Sequence, residues 1–113
     1  MSKEEKRNLY EGMYIFNATL SEQARAKAVQ ALQDEIARRG GEVHKVHDWG
    51  RRRLAYEIGG KREGYYFIFF FTLGSQNITE LWKDYHLNED LIRFQTITVE
   101  KVQEALEFKT IEE

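Results

Sequence analysis

The chain has neither cysteine nor proline, and its longest apolar run, 65–71, is seven residues long. Without thiols it can form no disulfide and no thiolate metal site, which makes a reducing cytosol its natural compartment. A membrane-spanning helix requires roughly 20 apolar residues, and no apolar run of the signal-peptide kind follows the charged N-terminus. The sequence therefore predicts a soluble cytoplasmic protein without a membrane partner.

Net charge is also small, at −2, but the charge is segregated along the chain. Residues 38–62 contain eight Lys or Arg and three Asp or Glu, whereas residues 76–113 contain four and nine. This distribution indicates a basic region that faces a partner and an acidic opposite end.

Apolar periodicity predicts the order β-α-β-β-α-β within a single domain, residues 1–113, whose core is 8–100. The N-terminal extension 1–7 and the weakly helical acidic tail 101–113 lie outside that core, and we expect both to fray or be disordered. The predicted strands are 8–18, 42–58, 65–73 and 91–99, and the predicted helices are 22–39, capped by Thr19 or Ser21, and a second helix capped by Ser75.

Two interlocking right-handed β-α-β units of this kind give the α+β class and the ferredoxin-like sandwich. That fold is a four-stranded antiparallel sheet with two helices on one face. Its first and third strands are central, so the second strand is predicted to lie at an edge.

The second strand is too long to fit straight inside a small domain. Seventeen extended residues span roughly 55 Å, whereas a domain of this size has a radius of gyration of about 13 Å. The strand must bend at Gly50, break or project as an arm, and 59–64 reads as the turn that follows it. Period-two alternation divides its end into two sides, Leu54, Tyr56 and Ile58 on one and Arg51, Arg53 and Glu57 on the other.

The third strand is aromatic on both sides, which bears on the sheet face that has no helical cover. Its alternating sets are Tyr65, Phe67, Phe69 and Phe71 on one face and Tyr66, Ile68 and Phe70 on the other. Either assignment predicts exposed rings and hence a partner, because a monomer seldom leaves a large apolar patch bare. The alternative is that the chain's own ends cover the sheet.

No pair of residues has the spacing that catalysis requires. His44 and His47 fall on opposite faces of a strand, and no Cys, Asp or Glu completes a metal site. His86 lies at a helix end, where a cation is favourable. The sequence predicts no enzyme, no metal and no cofactor.

Binding fits the basic stretch better than catalysis does. Guanidinium groups fork onto phosphate oxygens and aromatic rings stack on unpaired bases, a combination that suits structured RNA. The candidate RNA-binding residues are Lys45, Arg51, Arg52, Arg53, Lys61 and Arg62, in a hairpin that also displays Trp49 and Tyr56. Edge-strand charges that discourage association between sheets are the alternative explanation.

Residues 50–58 carry a recognisable pattern: Gly, any residue, a basic residue, a basic or polar residue, Leu, Ala or Ser, Tyr, any residue, Ile. The run resembles the signature of the family of the sixth protein of the bacterial small ribosomal subunit. The flanking features that agree are Tyr10-Glu11, Gly41, Val43, Val46, Gly64-Tyr65-Tyr66 and Arg93, and the resemblance covers residues 9–100.

The resemblance implies a ferredoxin-like fold and a structural role. That role is to bind the central domain of small-subunit ribosomal RNA jointly with the eighteenth small-subunit protein. It makes Arg51, Arg52 and Arg53 candidate phosphate contacts, and Arg93 joins the candidate RNA-binding residues.

Three hairpin residues have a different implied role. Trp49, Leu54 and Tyr56 are candidates for contact with the protein partner or for packing within the hairpin. The competing class is a ferredoxin-like interaction or regulatory module that homodimerises or binds a small ligand through its aromatic sheet face.

Overall fold

The computed structural model describes residues 6–103, apart from the side chain of Ala55. Residues 1–5 of the predicted extension and 104–113 of the predicted tail lie outside the described residues. The elements are β1 (Arg7–Asn17), α1 (Glu22–Arg38), β2 (Glu42–Ile58), β3 (Lys61–Gly74), a 3₁₀ turn (Ser75–Asn77), α2 (Ile78–His86) and β4 (Leu91–Thr98).

The strands form one antiparallel sheet in the order β2-β3-β1-β4. The predicted ferredoxin-like α+β fold is confirmed, with β1 and β3 central and β2 at an edge. Both helices pack on one face, where Leu32 and Ile36 of α1 and Leu81 of α2 join the rings of β1 and β3 in one core.

The helix ends show which capping signals operate. Ser21 caps α1, because its Oγ accepts a hydrogen bond from the backbone N–H of Ala24 at 3.0 Å. Gly40 ends the helix in the left-handed region, with φ 84°. The prediction that Ser75 caps the second helix is wrong, because a 3₁₀ turn intervenes and α2 begins after Asn77 without a side-chain cap.

A pair of buried tyrosines joins the sheet to α2. The hydroxyls of Tyr14 and Tyr85 lie 2.8 Å apart, and a Cβ added at Gly12 would come within 2.6 Å of the Tyr14 hydroxyl. The glycine therefore leaves the room that this ring needs. Burial raises the pKa of both tyrosines.

The face away from the helices is not the bare aromatic surface that the alternation predicts. Tyr66, Ile68 and Phe70 are 1%, 3% and 1% exposed, so the expectation of exposed rings is wrong. Residues 99–103 run beside Phe70, and the ring nitrogen Nε2 of His47 lies 2.8 Å from the carbonyl oxygen of Gln103. The chain's own C-terminal segment thus lies on this face, as the alternative explanation held.

The second strand remains continuous and projects as one arm of a long hairpin. The molecule measures 51 Å along its longest axis, and the ladder of β2 with β3 shifts register between Asp48 and Gly50. The predicted turn 59–64 is too long, because β3 already begins at Lys61. Gly59 and Gly60 both adopt positive φ, 56° and 81°, which lets two residues reverse the chain.

Candidate nucleic-acid interface

The end of the β2–β3 hairpin concentrates positive charge. Residues 51–63 carry five Lys or Arg and two Glu, a formal charge of +3. The five cations are Arg51, Arg52, Arg53, Lys61 and Arg62, of which only Arg52 is partly buried.

A β-bulge sets the direction of the three arginines. Asp48 accepts a hydrogen bond from the backbone N–H of Gly50 at 2.9 Å, and Gly50 has φ 82°, so Trp49 has no ladder partner. After the bulge, Arg51 lies opposite Tyr65 and Arg52 opposite Gly64. Alternation therefore places Arg51 on the helix side of the sheet and Arg52 on the other side.

Two of the cations pair with carboxylates of the hairpin itself. Arg51 Nε lies 2.6 Å from Glu63 Oε1, and Arg62 Nε lies 2.9 Å from Glu57 Oε2. All four side chains are well exposed, so each pair contributes about 0–1 kcal/mol and exchanges readily with other anions. Arg53 makes no ion pair within residues 6–103.

Arg52, the partly buried cation of the cluster, stacks on an aromatic ring. The guanidinium carbon of Arg52 lies 4.9 Å from the centre of the Trp49 ring. Both side chains are partly buried. The contact holds the guanidinium plane against the hairpin by a cation–π interaction.

A cleft of about 350 Å³ opens on the helix side of the hairpin end. Its lining residues are Asn17, Ala18, Thr19, Arg51, Gly60, Lys61, Arg62 and Glu63. Nearby, the guanidinium carbon of Arg25 in α1 lies 3.7 Å from the centre of the Tyr65 ring. Sequence reasoning missed Arg25, because its contact with Tyr65 depends on how α1 crosses the sheet. The β2–β3 register sets Tyr65 opposite Arg51 and so brings this contact to the site.

The structure does not bring all the candidate cations together. Lys45 lies along β2 opposite Phe70, seven β3 positions from Glu63 at the hairpin end, roughly 23 Å away. Arg93 lies on β4 opposite Ile15, at the far edge of the sheet. These two residues are separate from the cluster of five.

The three candidate partner residues differ in exposure. Leu54 is 6% exposed and packs with Ile15 and Tyr66 in a small cluster on the side away from the helices, against which Trp49 also packs. Tyr56 is 53% exposed. Leu54 accordingly has a packing role, whereas Tyr56 offers an accessible ring.

No acid–base machinery is assembled in the described part of the chain. Residues 6–103 contain no group of three His, Asp or Glu side chains that could hold a metal, and none of the helices there has the length and apolar character to span a bilayer. Among carboxylates, the pKa of Asp84 is lowered by its hydrogen bond from Arg39, a contact that joins the ends of α1 and α2.

The fold and this site define a class of protein, a ferredoxin-like sandwich with a basic hairpin that projects from one edge of the sheet. Residues 9–98 match the family described as ribosomal protein S6. The chain therefore belongs to the S6 family of small ribosomal subunit proteins.

Individual relatives agree with the family. The chain is 58% identical over 106 residues to small ribosomal subunit protein bS6 of Protochlamydia amoebophila, covering 94% of this chain and 93% of that protein. It is 53% identical over 113 residues to bS6 of Chlamydia pneumoniae, with full coverage of both. The crystal structure of 30S ribosomal protein S6 from Thermotoga maritima superposes with TM-score 0.79 at 34% identity, covering 83% of this chain and 89% of that one.

Membership confirms the predicted family, the non-enzymatic character and the place in the small ribosomal subunit. Ribosomes of bacteria lie in the cytoplasm, which confirms the predicted localisation.

Proposed function

We propose that the chain is a structural constituent of the small ribosomal subunit that binds the central domain of its ribosomal RNA through the end of the β2–β3 hairpin. The observation that carries the proposal is the cluster of five cations in residues 51–63, four of them exposed. Guanidinium groups recognise phosphate oxygens in a forked geometry. The candidate contacts are Arg51, Arg52, Arg53, Lys61 and Arg62, with Lys45 and Arg93 as outlying candidates.

We further propose that the eighteenth small-subunit protein binds the RNA jointly with this chain. Two carboxylates oppose the five cations, so three phosphates at most are neutralised without displacing an internal pair. Each phosphate contact changes the slope of log K against log salt by only about 0.7–0.9. The chain alone should therefore bind weakly, and a more basic partner must supply the remaining affinity.

The partner's contact is proposed on the hairpin side away from the helices. Tyr56 is exposed and Trp49 is half-buried there, and aromatic residues of this kind anchor protein interfaces. Arg51 faces the opposite side, so one hairpin can contact RNA and protein at once.

Replacing Arg51, Arg52 and Arg53 together with Ala tests the RNA contact. We expect weaker binding to central-domain RNA and a shallower salt slope, with unchanged thermal unfolding. The matched control replaces Lys27, Arg38 and Lys83, three exposed cations on the helices, and should bind as the wild type does. Unchanged binding by the hairpin variant would assign its arginines to edge protection instead.

Titration of the same RNA with and without the eighteenth protein tests joint binding. We expect the pair to bind far more tightly than this chain alone. Equal affinities would remove the joint-binding proposal.

The competing proposal, homodimerisation or ligand binding through the aromatic sheet face, has less support. Tyr66, Ile68 and Phe70 are buried, so that face offers no open ring surface. Sedimentation of the pure chain discriminates, since a homodimer would favour the competing class.

A further inference from the structure

We infer that the outer edge of β4 is a second contact for the protein partner, and that it pairs with an extended, basic segment of that partner. The inference rests on the proposed function, because the partner is the eighteenth small-subunit protein. It concerns the opposite edge of the sheet from the basic hairpin.

The two edges of the sheet are protected very differently. β2 is interrupted by register shifts near His44 and Trp49 and carries many charges. Its counterpart β4, Leu91–Thr98, contains one charged residue, Arg93, and no proline or glycine. The pairing of β4 with β1 shifts register only near the start of β4, between the partners of Ile15 and Phe16. Natural proteins usually protect long edges with charges, prolines or bulges.

The alternation of hydrogen-bonded pairs between β1 and β4 shows which backbone groups of β4 face outward. The N–H of Val99 donates to the carbonyl of Leu9 at 2.9 Å, in step with the pairing of Thr98 with Tyr10. In an antiparallel ladder, alternate residues point both of their backbone groups at the neighbour. Residues 93, 95 and 97 therefore face β1, and 94, 96 and 98 face away from the sheet.

No described strand pairs with these outward groups. Three residues present three N–H donors and three carbonyl acceptors in a row. That row matches the needs of an added strand, which gains affinity from main-chain hydrogen bonds.

The surroundings favour a basic occupant. Glu89 and Asp90 precede the strand and Glu100 follows it, and all three are exposed. Acidic groups at both ends of the edge complement an extended segment rich in Lys or Arg. A second argument also predicts a basic partner. The hairpin alone is expected to bind RNA weakly, so the partner must supply the remaining positive charge.

A groove beside the strand can receive side chains of the added segment. It has a volume of about 450 Å³ and lies at the junction of α2 and the start of β4. Its lining residues are Tyr85, His86, Leu91, Ile92, Arg93 and Phe94. At the other end of β4, Ile97 is 49% exposed.

Amide hydrogen exchange of the wild-type chain tests the inference without any substitution. The amides of Phe94, Thr96 and Thr98 should exchange fast in the free chain and at least about tenfold more slowly with the purified eighteenth protein bound. The amides of 93, 95 and 97 should be protected in both states. Unchanged exchange at the outward amides of the complex would overturn the inference.

A pair of variants provides the second measurement. Thr98→Pro removes one outward N–H, which an edge strand tolerates, while Thr98→Val keeps that N–H in a branched side chain of similar shape. We expect T98P to bind the partner about two- to tenfold more weakly than T98V, the effect of losing one hydrogen bond. Equal binding would overturn the inference, provided both variants melt as the wild type does.

The outcomes separate this inference from the proposed function. If wild type does not bind the eighteenth protein at all, the joint-binding proposal fails with it. If wild type binds while the outward amides stay unprotected, only the edge contact fails. If the pure chain self-associates and T98P abolishes that, the occupant is a second copy, and the basic-partner assignment is wrong.

Discussion

Replacing Glu57 and Glu63 with Gln should strengthen RNA binding by the free chain. In the structure these carboxylates pair with Arg62 and Arg51, so a phosphate that contacts either of these arginines must displace its carboxylate. The double replacement raises the formal charge of residues 51–63 from +3 to +5. Since each phosphate contributes about 0.7–0.9 to the salt slope, the slope should steepen by about 1.4–1.8.

The size of the affinity gain follows from the exposure of the pairs. The Arg51 and Glu63 side chains are 62% and 46% exposed, and the Arg62 and Glu57 side chains 74% and 52%. Each pair is therefore worth about 0–1 kcal/mol, which limits the gain from releasing both to roughly thirtyfold at low salt. Filter-binding titrations with central-domain RNA over a range of salt concentrations measure both quantities.

A charge-matched control isolates the hairpin carboxylates. Glu42 lies at the other end of β2, and Glu80 pairs with Lys83 on α2 at 3.5 Å. Replacing these two with Gln changes the net charge equally and should alter the salt slope far less. The reasoning is refuted if the hairpin variant binds RNA no better than this control, or more weakly than the wild type.

Three further predictions concern stability. Gly64→Ala should lower the free energy of unfolding by about 1–3 kcal/mol in urea titrations, because the added Cβ would lie 2.3 Å from Cγ2 of Ile15; an unchanged midpoint would contradict the packing. Tyr14→Phe should cost about 1–3 kcal/mol by leaving the Tyr85 hydroxyl buried and unpaired, and the double Phe variant should recover much of that loss. Because burial raises the pKa of both tyrosines in the folded state, stability should hold below the unfolded pKa of about 10 and fall above it, less so in the double Phe variant.

Local pattern was enough to predict the element order and the hairpin. The apolar spacing of α1 and the glycines after it are signals within one segment, and both predict the helix correctly. Of the two caps that the sequence offers, Thr19 and Ser21, the structure uses Ser21. The length of the second strand likewise indicates that it must bend, break or project as an arm, and the structure shows the projecting arm. The predicted turn 59–64 is too long because residues 61–64 have the composition of a loop. In the structure Gly59 and Gly60 alone reverse the chain.

Features that depend on distant segments were not predictable in the same way. The ring of Phe70 is buried in part because residues 99–103 return beside it, and no periodicity in β3 indicates that. The pairing of Arg62 with Glu57 depends on the irregular ladder at the hairpin end. The position of Arg25 over Tyr65 depends on how α1 crosses the sheet.

Directed hydroxyl-radical probing tests the central claim most directly. The chain has no cysteine, so Thr19→Cys beside the hairpin cleft and Gln76→Cys after β3 each provide a unique attachment point for an iron chelate, both at exposed, uncharged positions. In the complex with ribosomal RNA and the eighteenth protein, iron at position 19 should cleave the central domain strongly and iron at position 76 weakly. Equal cleavage from both positions, or stronger cleavage from position 76, would contradict RNA binding by the hairpin end.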